Sequence, residues 1–135
     1  MKPTVLFVDD DRDVLAIGVS LLEEAGYRVQ GAASGDIAAI LLEQGLRFDL
    51  LVTDVVLPGK LDGFALADKA HALVPEMRII YSTGFGEVAR IRSRGAVYGE
   101  VLRKPWRTAD LLHAVSAALR HPVTALANGD PVLDR

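Results

Sequence analysis

Short unbroken apolar runs that end in acids alternate along this chain with segments of helical spacing, and this alternation restricts the fold more than any other feature. Val5-Leu6-Phe7-Val8 runs straight into Asp9-Asp10-Asp11, and Phe48–Thr53 runs into Asp54. Such runs, bounded by turn signals, fit strands buried on both faces. Tyr27–Ala33, Met77–Ser82 and Val97–Arg103 read as three further strands, the first of them weaker. Between the strands the period changes. Over residues 12–25, Val14, Ile17, Gly18, Leu21 and Ala25 share one helical face, the expected core face, and Gly26 is a stop signal. Ser34 is placed to cap a helix over 35–44, with Ile37, Ile40 and Leu41 inward. Asp62 can cap a third helix running to Leu73 and closed by Pro75. Residues 86–94 make a short, weak helix, and the last helix begins at Trp106 or Thr108 and runs to about Arg120. Leu57-Pro58-Gly59 is a loop signal. Strands alternating with helices in this way predict one α/β domain, its parallel sheet covered on both faces through right-handed crossovers.

Bulk properties agree and exclude several classes. Hydrophobic residues make up 50% of the 135, enough for one core. The absence of cysteine excludes a disulfide scaffold, a thiolate zinc site and a thiol nucleophile. The formal charge of −3, from 15 basic and 18 acidic residues, offers nucleic acid no general attraction. No apolar run approaches the roughly 18–20 residues that span a bilayer. The run after Met1-Lys2-Pro3-Thr4 is too short for a signal peptide, so the cytoplasm is the expected location. The domain is expected over residues 1–121, with 122–135 as a flexible C-terminal tail.

Open parallel sheets bind ligands at the carboxyl ends of their strands. Here those ends carry Asp9, Asp10 and Asp11, then Asp54, then Ser82 and Thr83, then Lys104 before Pro105. Clustered carboxylates repel and raise one another's pKa, which a hard divalent cation relieves. An ammonium and a hydroxyl suit phosphoryl oxygens, and a carboxylate with a free oxygen can form an aspartyl phosphate. Taken singly, each aspartate is more simply a helix cap, and Asp11 is assigned that role. Lys104 alone would be a solvated lysine, and Ser82 is read as structural. The set, gathered at adjoining strand ends, points to phosphoryl chemistry.

Five pieces in order carry a resemblance: Val8-Asp9-Asp10-Asp11, the stretch from Asp49 through Asp54 to Gly59, Asp62-Gly63, Ser82-Thr83-Gly84 and Arg103-Lys104-Pro105. They resemble the response-regulator receiver domain of two-component systems, from residue 4 to about 120. The loop Leu57–Gly63 is also similar to receivers attached to hybrid histidine kinases. The resemblance implies a flavodoxin-like (βα)5 fold, a doubly wound five-stranded parallel sheet of order 2-1-3-4-5. It implies Asp54 as phosphoacceptor, and Asp9, Asp10, Asp54 and the Val56 backbone carbonyl as ligands of Mg²⁺. Thr83 would move toward the phosphoryl group, and Lys104, joined to Pro105 by a cis bond, would contact a phosphoryl oxygen. The implied donor is a histidine kinase or a histidine phosphotransfer protein. The family commonly dimerises through its last two helices and fifth strand, which leaves a homodimer open. It acts as a regulator rather than as an enzyme on other substrates, and nothing points to membrane insertion or direct nucleic-acid binding.

The chain also departs from the family pattern. The aromatic residue usual three positions before the lysine is Val101 here, and Tyr98 is out of register. The two positions that flank the path of attacking water are Val56 and Phe85, both apolar, so the phosphoryl group is expected to be long-lived. Leu15, Val19 and Leu22 form a second apolar stripe on the first helix, read either as a docking patch for a phosphohistidine-bearing helix bundle or as contact with neighbouring elements or a dimer interface. Three alternatives stand beside the phosphoacceptor. One is a receiver-like interaction module that is never phosphorylated. Another is a flavodoxin-like ligand-binding module, which would want a phosphate cradle where the chain has Asp9-Asp10-Asp11-Arg12. The third is a hydrolase with Asp9 as nucleophile, whose Asp-x-Asp spacing would have to use Asp11. The arginines at 90, 92, 94, 103 and 107 read as a solvated face, and His71, His113 and His121 are too scattered for a metal site.

Overall fold

The alternation in the sequence becomes an alternation of elements in space. A computed structural model describes residues 2–84, 87–94 and 98–120. In chain order these are β1 (Thr4–Val8), α1 (Arg12–Glu24), β2 (Arg28–Ala32), α2 (Gly35–Glu43), β3 (Leu50–Asp54), α3 (Gly63–Leu73), β4 (Arg78–Thr83), α4 (Val88–Arg94), β5 (Gly99–Arg103) and α5 (Thr108–Arg120). The strands form one sheet of order β2-β1-β3-β4-β5, and every pairing is parallel. Residues 122–135, expected as a tail, lie outside the described residues, as do His121, Phe85 and Gly86. No helix among the described residues is long and apolar enough to cross a membrane.

The strand pleat divides the core in two. Leu6, Val8, Leu51, Ile79 and Tyr81 point to the side holding α2, α3 and Ile91 of α4. Val5, Phe7, Leu50, Val52 and Ile80 point to the side holding Leu22 of α1 and Leu111 and Val115 of α5. The central strands are therefore buried on both faces, the physical reason for their unbroken apolar runs. The expected caps are in place. Asp11 accepts from the Asp13 and Val14 N–H groups, Ser34 Oγ from Ile37 N–H at 3.1 Å, and Asp62 Oδ1 from Ala65 N–H at 2.8 Å.

Two helices are rotated from the expected orientation. On α1 the inward residues are Leu15, Gly18, Val19, Leu21 and Leu22, so the stripe read as a docking patch faces the core. Ile17 is 53% exposed and Ala25 is exposed, while Val14 and Leu21 are half-buried. The phase is set at Gly18, where a Cβ would lie 2.3 Å from the tip of the Phe7 ring. Helix and sheet meet closest at the one position without a side chain, and the rest of the face follows. On α2, Ala38, Ala39 and Leu42 are buried, Leu41 is partly buried, and Ile37 and Ile40 are exposed. Small residues let this helix lie close to its neighbours, which turns the larger isoleucines outward.

Candidate functional site

The strands bring the predicted polar residues to one edge of the sheet. Asp54 at the end of β3 is in register with Ser82 of β4, and Thr83 with Arg103 of β5. Lys104 N–H donates to the Thr83 carbonyl at 2.7 Å, and the Lys104–Pro105 bond is cis. The lysine ammonium then bridges two carboxylates, donating to Asp9 Oδ2 at 2.5 Å and Asp54 Oδ2 at 3.0 Å. Asp9 is buried, and its other oxygen accepts from Asp11 N–H at 2.9 Å. Asp54 is 8% exposed, and among the described residues its Oδ1 accepts only a long bond of 3.3 Å from Val56 N–H. Asp10 is exposed, yet one oxygen from each of Asp9, Asp10 and Asp54 lies within 4.8 Å of the others. Asp11 stays outside this group as the α1 cap.

Charge at this edge is not balanced. Among the described residues, three carboxylates meet one ammonium here, a formal excess of two negative charges. Burial lifts the Asp54 carboxyl above its ordinary pKa; Lys104 pulls it back only in part, and the Asp9 charge lifts it further. Burial pulls the Lys104 ammonium down, but the two carboxylates outweigh this and hold its pKa above the ordinary lysine value. Lys104 therefore stays charged, and the site still lacks positive charge. An all-oxygen donor set with this deficit fits a hard divalent cation. Thr83 is fully buried, and its Oγ1 has no hydrogen-bond partner among the described residues. Such a hydroxyl is costly unless something else bonds to it. Behind Asp54, a Cβ at Gly63 would lie 2.1 Å from the Asp54 carbonyl oxygen, so α3 abuts this strand end through glycine.

Some participants were not anticipated. Ser82 Oγ accepts from Trp106 Nε1–H at 3.2 Å, tying β4 to the turn after Lys104. Val101 is half-buried opposite Tyr81, whose buried ring lies 5.9 Å from Phe64. The aromatic absent from β5 thus has a counterpart on β4, two residues before Thr83 and on the same strand face. The Arg90 guanidinium sits 5.9 Å from the Phe64 ring centroid and pairs with Glu87 at 2.8 Å, so this arginine is not simply solvated. Tyr98 stacks on His71 at 4.4 Å. Beside the acidic edge, Val14, Ile17, Lys104, Pro105 and Trp106 line an open cleft of about 440 Å³.

Carboxylates and a lysine at the carboxyl edge of a doubly wound sheet of this order define a phosphoacceptor signalling domain as the class. The chain belongs to the response regulator receiver family: the response regulator receiver domain profile matches residues 5–116. It is 35% identical over 116 residues to the response regulator receiver protein CpdR of Brucella abortus (strain 2308), across 85% of this chain and 95% of that protein. It is likewise 35% identical over 119 residues to the sensor kinase CckA of the same organism, across 86% of this chain but only 12% of the kinase. Among solved structures, a response regulator receiver protein from Sinorhizobium medicae WSM419 superposes with a TM-score of 0.82 at 33% identity, covering 88% of this chain and 95% of that one.

Proposed function

We propose that Asp54 accepts a phosphoryl group from the phosphohistidine of a histidine kinase or histidine phosphotransfer protein, with Mg²⁺ held by Asp9, Asp10, Asp54 and the Val56 backbone carbonyl. The observation that carries this reading is the cluster of three carboxylates bridged by Lys104 with negative charge to spare. Bound Mg²⁺ would supply neutralising charge to the phosphoryl oxygens. An Asp54 carboxylate oxygen attacks phosphorus, the new O–P bond forming as the P–N bond to the donor imidazole breaks, and the imidazole takes up a proton from water. Lys104 turns a donor from the carboxylates to a phosphoryl oxygen, and the buried Thr83 hydroxyl donates to another. The domain, taken as residues 1–121, then changes its protein contacts or passes the group on, acting in the cytoplasm. The direct test is intact mass after incubation with acetyl phosphate. One added phosphoryl group is expected with Mg²⁺ and none with EDTA. No gain in Mg²⁺ would replace this reading with that of an unphosphorylated interaction module.

The lifetime of the modification and the donor's landing site follow from the same edge. Val56 is 49% exposed beside Asp54 and has no polar group to orient attacking water, so the aspartyl phosphate is long-lived for this family. Val56→Asn is expected to speed its loss several-fold, read as the decay of the phosphorylated mass. An unchanged decay would remove this explanation. The donor's helices dock on Val14 and Ile17 and on the Lys104–Trp106 turn, since the Leu15 stripe is turned inward. Ile17→Asp is expected to slow transfer from a phosphotransfer protein about tenfold, the weight of one central anchor residue. Labelling by acetyl phosphate should stay unchanged.

A further inference from the structure

Asp36, the second residue of α2, belongs to none of the groups assigned so far. Its carboxylate reaches the loop that follows Asp54. Lys60 N–H donates to Oδ2 at 3.2 Å and Leu61 N–H to Oδ1 at 3.0 Å, so both oxygens are occupied. The fit around them is close. Gly59 has φ +91°, and a Cβ there would lie 2.6 Å from Asp36 Oδ2. A Cβ at Gly35 would lie 2.3 Å from the Leu61 carbonyl oxygen. The loop is also held at both ends. Gly63 N–H donates to the Val55 carbonyl at 2.8 Å, Asp62 caps α3, and the side chains of Leu57 and Leu61 pack on the core. Residues 55–63 therefore form a closed arch, and Asp36 is the one side chain of α2 that bonds to its middle.

We infer that Asp36 is a positioning residue for the cation site: by bolting the arch to α2 it holds the Val56 backbone beside Asp54. The inference rests on the proposal that Val56 lends its carbonyl to Mg²⁺. Removing the Asp36 carboxylate leaves two loop N–H groups to find water, and the arch loses its central tie. Groups that orient metal ligands typically cost about 10–100-fold in metal affinity when removed.

The test is a Mg²⁺ titration of the full chain followed by backbone amide chemical shifts. Asp36→Ala is expected to weaken Mg²⁺ about tenfold and to speed hydrogen exchange at the Lys60 and Leu61 amides. Gly59→Ala, which leaves every charge in place but crowds the carboxylate, is expected to weaken Mg²⁺ as well. Asp36→Asn, with one acceptor oxygen, should fall between Asp36→Ala and the native chain. Unchanged affinity in Asp36→Ala overturns the inference. So does a loss there that Gly59→Ala does not share, because charge alone then accounts for it. Should Gly59→Ala not fold, Asp36→Asn decides: binding as weak as Asp36→Ala assigns the effect to charge and overturns positioning. A native chain with no Mg²⁺-dependent shifts near Asp9, Asp10 and Asp54 would fail the proposed function and this inference with it. That result differs visibly from native and variant chains that bind equally well.

Discussion

Asp54→Ala is expected to gain no phosphoryl mass from acetyl phosphate or a phosphohistidine donor, while melting no lower than the native chain. The chemical half follows from position. Asp9 has both oxygens committed, to Lys104 and to the Asp11 amide, and Asp10 is exposed to solvent. Among the described residues, Asp54 keeps an oxygen held by no more than the 3.3 Å bond from Val56 N–H. The stability half follows from electrostatics. The Asp54 pKa is raised, chiefly by burial, so its charged form is disfavoured in the fold. Deleting it removes that cost and the repulsion with Asp9, while Lys104 keeps its bond to Asp9. Phosphorylation retained in Asp54→Ala would place the acceptor elsewhere, and a large drop in melting temperature would show that the electrostatic account has the wrong sign.

Lys104→Met should destabilise the chain by about 3 kcal/mol at pH 7, the lower end of the cost of breaking a buried ion pair. The lower end applies because the Lys104 side chain keeps 19% exposure. The loss should shrink on acidification. In the native chain the raised Lys104 pKa contributes stability that is full below the ordinary value of 10.5 and is lost as pH rises through the folded value. In the variant Asp54 controls the pH dependence. Asp54 already binds its proton more tightly when folded than the ordinary value of 3.8 implies, and losing Lys104 strengthens that preference. The folded variant then takes up its proton on acidification before the unfolded chain does, and its stability relative to the native chain rises as pH falls. Urea midpoints at pH 7 and pH 5 read this directly. A deficit as large at pH 5 as at pH 7 would mean that packing of the lysine stem, rather than charge, had been lost. Added Mg²⁺ should recover part of the deficit at pH 7, because a cation replaces the missing positive charge.

Much of this was legible from the chain alone because the controlling forces are local. A run such as Leu50–Val52 must be buried on both faces, whatever covers it. Asp11, Ser34 and Asp62 cap helices whose first turns lie two or three residues on. Strand ends in a parallel sheet share one edge, so the sequence alone groups Asp9, Asp54, Thr83 and Lys104. The orientation of α1 and α2 was not legible. An apolar arc wider than half a helix carries a period but no phase, and the phase came from Gly18 meeting Phe7. The aromatic counterpart of Val101 was hidden because Tyr81 is 20 positions away in sequence and opposite it only through β4–β5 pairing.

The order of elements, the caps and the membership of the acidic edge were thus written in short-range pattern, since hydrophobic period, capping and strand polarity act within a few residues. Contacts across long stretches of chain settled the rest: which stripe of α1 meets solvent, the 95-residue separation closed by Lys104 and Asp9, and the bonds from Lys60 and Leu61 to Asp36. Those pairings exist only once the sheet has assembled, because no residue carries a local mark of the partner that packing will bring to it.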